Sequence, residues 1–148
     1  MSASEAAVQT AIRVRAGELG VRPWRNNVGA CVDETGRLIR YGLANDSAQM
    51  QKRLKSSDLI GWAARVCWIP AKGTTDFKPI TLPVFMAIEC KRSNWFKDYD
   101  DPLTQCRDKF NEREEAQAKW IDLVRADGGI AGFARSVAEF EALLKGTY

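Results

Sequence analysis

The chain has 148 residues, 45% of them hydrophobic and 28% charged, the size and balance of one globular domain with its own core rather than a disordered segment. It contains no histidine, which excludes serine-triad hydrolases, Cys–His nucleophiles, cysteine–histidine zinc fingers and histidine general bases together. The net charge of +3 hides an asymmetry: residues 1–97 carry 15 Lys and Arg against 8 Asp and Glu, residues 98–148 carry 7 against 11, and the basic part suits a polyanionic partner.

In chain order, residues 4–19 predict a helix, with Glu5, Val8, Ile12, Ala16 and Leu19 on one face. Ser2 and Glu5 have the spacing of a capping box, and Gly20 is a stop. Residues 21–33 and 38–41 predict two strands joined at 34–36. Residues 45–55 are polar, a surface loop or a short exposed helical turn. A strand over 58–69, bent or broken at Gly61, leads through a turn-rich connection at 70–79 to a strand over 80–88, whose apolar run is of the kind buried on both faces. A long helix is entered near Asp101-Pro102 and closed by Gly128-Gly129. A short strand over 130–134 and a helix capped by Ser136 and Glu139 complete the order. This predicts an α/β fold with a mixed central sheet. Cys31, Cys67, Cys90 and Cys106 form no Cys-x-x-Cys pair and sit in or beside apolar sequence, as buried reduced thiols of a cytoplasmic protein do. No signal segment is visible, and the apolar run at 82–88 is too short to span a bilayer, so no membrane is expected.

The chemistry-bearing residues cluster at strand ends. Glu89 and Lys91 close the apolar strand at i and i+2, so their side chains share one side. They make either a strand-end ion pair or a divalent-metal ligand beside a lysine that faces the attacking water or the scissile phosphate. Asp58 follows Ser56-Ser57 at a strand start, either as a turn residue or as the second carboxylate of a minimal metal-dependent phosphodiesterase site. Mg2+ prefers hard oxygen ligands and keeps several waters, so two carboxylates and a backbone carbonyl suffice. Glu5 and Gln117 are polar residues on apolar helix faces, and each needs a partner. For Glu5 the choice is the capping box or a site role; for Gln117 it is an amide bonded to backbone or a site role.

Glu5, Trp24-Arg25-Asn26-Asn27-Val28-Gly29, Tyr41-Gly42, Ser57-Asp58-Leu59-Ile60-Gly61, Ala87-Ile88-Glu89-Cys90-Lys91 and Ala116-Gln117-x-x-Trp120 occur in that order over nearly the whole chain. Together they resemble the VRR-NUC branch of the PD-(D/E)xK nuclease superfamily. Two features depart from the family pattern: Lys55-Ser56-Ser57 lacks the usual glycine before Asp58, and 31 residues separate Asp58 from Glu89. The spacing makes 70–79 an insertion and leaves Asp76 as the other carboxylate ahead of the strand.

The resemblance implies a restriction-endonuclease-like mixed sheet flanked by helices over 1–148. It also implies Mg2+ or Mn2+ held by Asp58, Glu89 and the Cys90 carbonyl, with Glu5 in the outer shell. Lys91 would orient or deprotonate water or neutralise the phosphate, and Gln117 would position Lys91 or the water. Hydrolysis would leave a 5′-phosphate and a 3′-hydroxyl. Short standalone members resemble phage-encoded homodimers that cut branched DNA, so the expected partners are four-way junctions and a second copy, in host cytoplasm. A non-catalytic DNA-binding module of this fold, and a general or repair nuclease without junction preference, are the competing readings. Arg22, Arg25, Lys52, Arg53 and Lys55, with Lys72 and Lys78, are the candidate phosphate contacts. Trp95-Phe96 is an aromatic pair for base stacking, core cover or a dimer contact.

Overall fold

A computed structural model describes residues 2–95 and 110–146. The described chain runs α1 (Glu5–Glu18), β1 (Arg22–Arg25), β2 (Gly29–Val32), β3 (Leu38–Tyr41), α2 (Ala48–Arg53), β4 (Leu59–Pro70), β5 (Phe77–Cys90), α3 (Glu112–Ala126), β6 (Ile130–Ala134) and α4 (Val137–Lys145). The main sheet has the order β1-β4-β5-β6, antiparallel except for the parallel pair β5–β6. It is a mixed sheet flanked by helices, and β2 and β3 form a separate antiparallel ribbon. No helix among the described residues is long and apolar enough to cross a membrane.

Two clusters make the core, one on each sheet face. Val8, Ile12 and Ala16 of α1 and Phe140 and Leu143 of α4 pack on Leu59, Met86, Ile88 and Ile130. Trp120, Ile121 and Val124 of α3 pack on Ala87, Ala131 and Phe133, with Trp95. The helices are capped as their sequences dictate, Asn111 and Glu114 forming a full capping box on α3 and Ser136 capping α4. Helix α1 is capped by Ser4, whose hydroxyl accepts from the Ala7 N–H, so the Ser2–Glu5 box is not formed. A start at Ser4 turns Val8, Ile12 and Ala16 inward and leaves Glu5 exposed at the first helical position, off the buried stripe. Helix α3 begins at Glu112 behind the Asn111 cap and is therefore not entered at Asp101-Pro102, residues that lie outside the described ones, as do Cys106 and Phe96. Of the cysteines expected to be buried, Cys90 is, whereas Cys67 is half-buried and Cys31 exposed on the β2–β3 ribbon.

Three strand expectations are corrected. Residues 21–33 form two strands, because the Asn26 backbone leaves β1 to bond the Asp58 carbonyl while its side chain bonds Ser56 and Ser57. Strand β4 is unbroken at Gly61, which lies opposite Pro23 where an added Cβ would collide with the Arg22 carbonyl; the glycine serves close approach of β1. Strand β5 is buried on both faces only over 86–90, where α1, α3 and β6 cover it; most of 77–85 is exposed. The connection is correspondingly shorter, since 77–79 already pair with β4. Pro79 and Pro83 occupy the stretch of β5 that has no strand on its β6 side among the described residues, where a missing N–H breaks no ladder.

Candidate metal centre

Four elements converge at the end of β5. Glu89 is its penultimate residue, Asp58 immediately precedes β4, Glu5 opens α1 and Gln117 lies one turn into α3. Carboxylate oxygens of Glu5, Asp58 and Glu89 lie within 4.8 Å of one another. Asp58 is fixed by the Cys90 backbone N–H, which donates to its Oδ2 at 3.0 Å. The Asp58 loop is held by Asn26, which donates to Ser56 Oγ at 2.8 Å and to the Ser57 carbonyl at 2.9 Å. Glu5 is brought in by Ser93, whose Oγ accepts from the Ala3 N–H at 2.8 Å and whose N–H donates to the Ala3 carbonyl at 3.1 Å.

Glu89 is fully buried. Its Oε1 accepts from Lys91 Nζ at 3.1 Å and from Gln117 Nε2, while Lys91 Nζ also donates to Gln117 Oε1 at 2.9 Å. The ion pair anticipated at the strand end is thus present, but it uses one oxygen only. Glu89 Oε2 is buried with no hydrogen-bond partner among the described residues. A buried carboxylate oxygen left unpaired is costly, and it stands among two further carboxylates. The consequence is electrostatic: burial first, then the Asp58 charge, push Glu89 up to about 8 against the pull of Lys91. Asp58 is also raised, chiefly by burial, against the Cys90 N–H bond. Burial, with Asp58 and Glu89 behind it, pushes the Cys90 thiol up as well, so its sulfur stays protonated in the core.

Lys91 is held over the rings of Phe133 and Trp95, at 5.4 and 5.9 Å from their centroids. Trp95 is a core residue, buried beside Phe110 and Phe133 with its indole N–H on Glu114, so it is available neither for base stacking nor for a dimer contact. Gln117 bonds the side chains of Lys91 and Glu89, so it is not the backbone-bonded amide that was its alternative. Asp76 lies in the hairpin turn, about 40 Å along β5 from Glu89, and takes no part.

Of the cationic candidates, Arg22 and Arg25 are exposed on β1, Arg25 opposite Leu59 and so beside Asp58. Lys52 and Arg53 are exposed in the last turn of α2, and Lys55 is half-buried beside α3. Lys72 and Lys78 belong to the far end of the hairpin. Sequence reasoning missed Ser93 and Arg113. Ser93 acts through backbone bonds that leave no pattern, whereas Arg113 stood four residues before Gln117 as a legible clue.

Comparisons of the chain with protein-family models, with curated proteins and with solved structures give no match.

Proposed function

We propose that the chain is a Mg2+- or Mn2+-dependent endodeoxyribonuclease of the VRR-NUC type, with a restriction-endonuclease-like fold, acting on branched DNA as a homodimer. The observation that carries this reading is the buried Glu89 carboxylate, which clusters with those of Asp58 and Glu5 and keeps Oε2 without a hydrogen-bond partner among the described residues while Lys91 occupies Oε1. Hard carboxylate donors of this kind fit a small divalent cation. Asp58, Glu89 and the Cys90 carbonyl would hold it, with Glu5 alongside. When bound, the ion supplies Lewis-acid activation of phosphate and water.

The remaining chemistry belongs to the chain. An ammonium has three donors. Lys91 gives one to Glu89 and one to Gln117, which leaves one for a water or a phosphate oxygen. Gln117 holds both Glu89 and Lys91, so it fixes the distance between ligand and lysine. With no histidine in the chain, Lys91 is the cluster's proton-handling group at the attacking water.

The test is Mn2+ calorimetry on the purified chain, paired with cleavage of duplex, flap and four-way-junction DNA with and without a chelator. The expected result is Mn2+ binding, chelator-sensitive cleavage and preference for the junction. Absence of Mn2+ binding overturns the metal centre, and equal cleavage of junction and duplex overturns the substrate preference.

A further inference from the structure

Two cations stand beside the carboxylate cluster without counter-ions of their own. Arg113 lies in the first turn of α3, where a cation opposes the helix dipole. It precedes Gln117 by one turn and shares its face of the helix. Lys55 is half-buried three residues before Asp58, and its backbone N–H is tied to the Ala116 carbonyl at 3.1 Å. Neither side chain makes an ion pair or a hydrogen bond among the described residues. Burial first, and then the Arg113 charge, lower the Lys55 ammonium, and Arg113 also acts on Asp58 and Glu89. Two like charges have therefore been brought to one place by backbone and helix geometry, against their repulsion.

The charge count says what they are for. With Glu89 ionised, as a bound cation requires, Glu5, Asp58 and Glu89 match Lys91, Lys55 and Arg113 one for one. A divalent cation then leaves the site with two positive charges. A phosphodiester brings one negative charge, and the pentacoordinate state of its hydrolysis brings a second. We infer that Lys55 and Arg113 form a clamp for one backbone phosphodiester of DNA, gripping it between ammonium and guanidinium beside the metal cluster. This rests on the nuclease reading and names the substrate group it grips. The guanidinium offers paired donors to two phosphate oxygens, and the ammonium offers a point charge.

The experiment uses the full chain with Ca2+ in place of Mg2+, so that DNA is bound without being cut. Affinity for a duplex and for a four-way junction is measured as a function of salt for wild type, Lys55→Gln, Arg113→Gln and Arg113→Lys. Lys119→Gln, at an exposed position off the Gln117 face of α3, is the control. Each Gln variant of the clamp is expected to lose about tenfold in affinity and about one unit of salt slope. Arg113→Lys should recover the slope. Mn2+ binding without DNA should tighten in both Gln variants, because a neighbouring positive charge has gone; a purely structural role would not move it in that direction. Wild-type affinity and slope in Lys55→Gln and Arg113→Gln, or an equal loss in Lys119→Gln, overturns the clamp while leaving the nuclease reading intact. A wild type that binds neither Mn2+ nor DNA overturns both.

Discussion

At Glu89 a proton competes with whatever cation the cluster holds. The fold keeps that proton up to about pH 8, whereas the unfolded chain releases it near the ordinary carboxylate value. The folded state binds more protons across that interval, so this contribution to stability is complete below it and is lost as pH rises through about 8. Asp58, raised in the same direction, adds to the effect. Glu89→Gln should therefore melt several degrees above wild type at about pH 9 in the absence of metal, and the gap should close towards about pH 4. An unchanged gap across that range would contradict the assignment of Glu89 as the titrating group. Saturating Mn2+ should flatten the wild-type profile, because the cation replaces the proton. Cleavage has its own residue test. Asp58→Asn, Glu89→Gln and Lys91→Ala should each lower the rate at least about a thousandfold while DNA binding in Ca2+ persists. Full activity in Glu89→Gln would remove the metal centre.

Among the elements, β1 is the small one on which the Asp58 loop depends. It is held to β4 at Gly61, where backbone meets backbone with no room for a methyl group. Gly61→Ala should destabilise the fold by about 2–3 kcal/mol and weaken Mn2+ binding too, since a displaced β1 carries Asn26 away from Ser57. Thermal melts and calorimetry read the two effects separately. The same elements show how far the sequence could be read. Helices α1 and α4 were legible because their inward residues repeat at helical spacing, and α4 also by its Ser136 cap. Glu89, Lys91 and Asp58 were legible because charge at the end of an apolar strand is unusual enough to mark a place. The cap of α1 was misassigned because Ser2 has the capping-box spacing to Glu5, whereas docking of Val8 and Ile12 selects Ser4. The reach of β5 into solvent was not legible at all. An apolar run has the same local pattern whether helices cover it or not, and the cover here comes from β6, α3 and α1, outside the run itself.

For the whole molecule, that uncovered stretch belongs to an exposed apolar face. Trp24 and Trp62 meet in a tilted contact with ring centroids 4.6 Å apart, Phe85 lies across from Trp62, and Val66, Trp68 and Phe77 continue on the same face towards the hairpin turn. All six are exposed, Trp68 by 64% and Phe77 by 60%. Contiguous apolar patches on this scale mark protein interfaces more often than free surface. The expected homodimer should use this face in place of Trp95, and light scattering should return twice the chain mass of 16.5 kDa. Trp68→Glu, at a position too exposed to disturb the core, should shift the protein to monomer; a wild type already at 16.5 kDa would remove the dimer.

Pro79 and Pro83 decide the manner in which copies can meet. A strand border nine residues long with no partner strand among the described residues, rich in apolar side chains, would ordinarily template the next chain and lead to fibrous growth. Each proline withholds a donor that an incoming strand would need, so the ladder cannot be extended there without gaps. Growth by strand addition is hindered while contact through the aromatic face stays open, and a two-fold contact of that kind would close after two copies. The two imino acids would thus let a sticky arm persist in a protein whose expected assembly is finite.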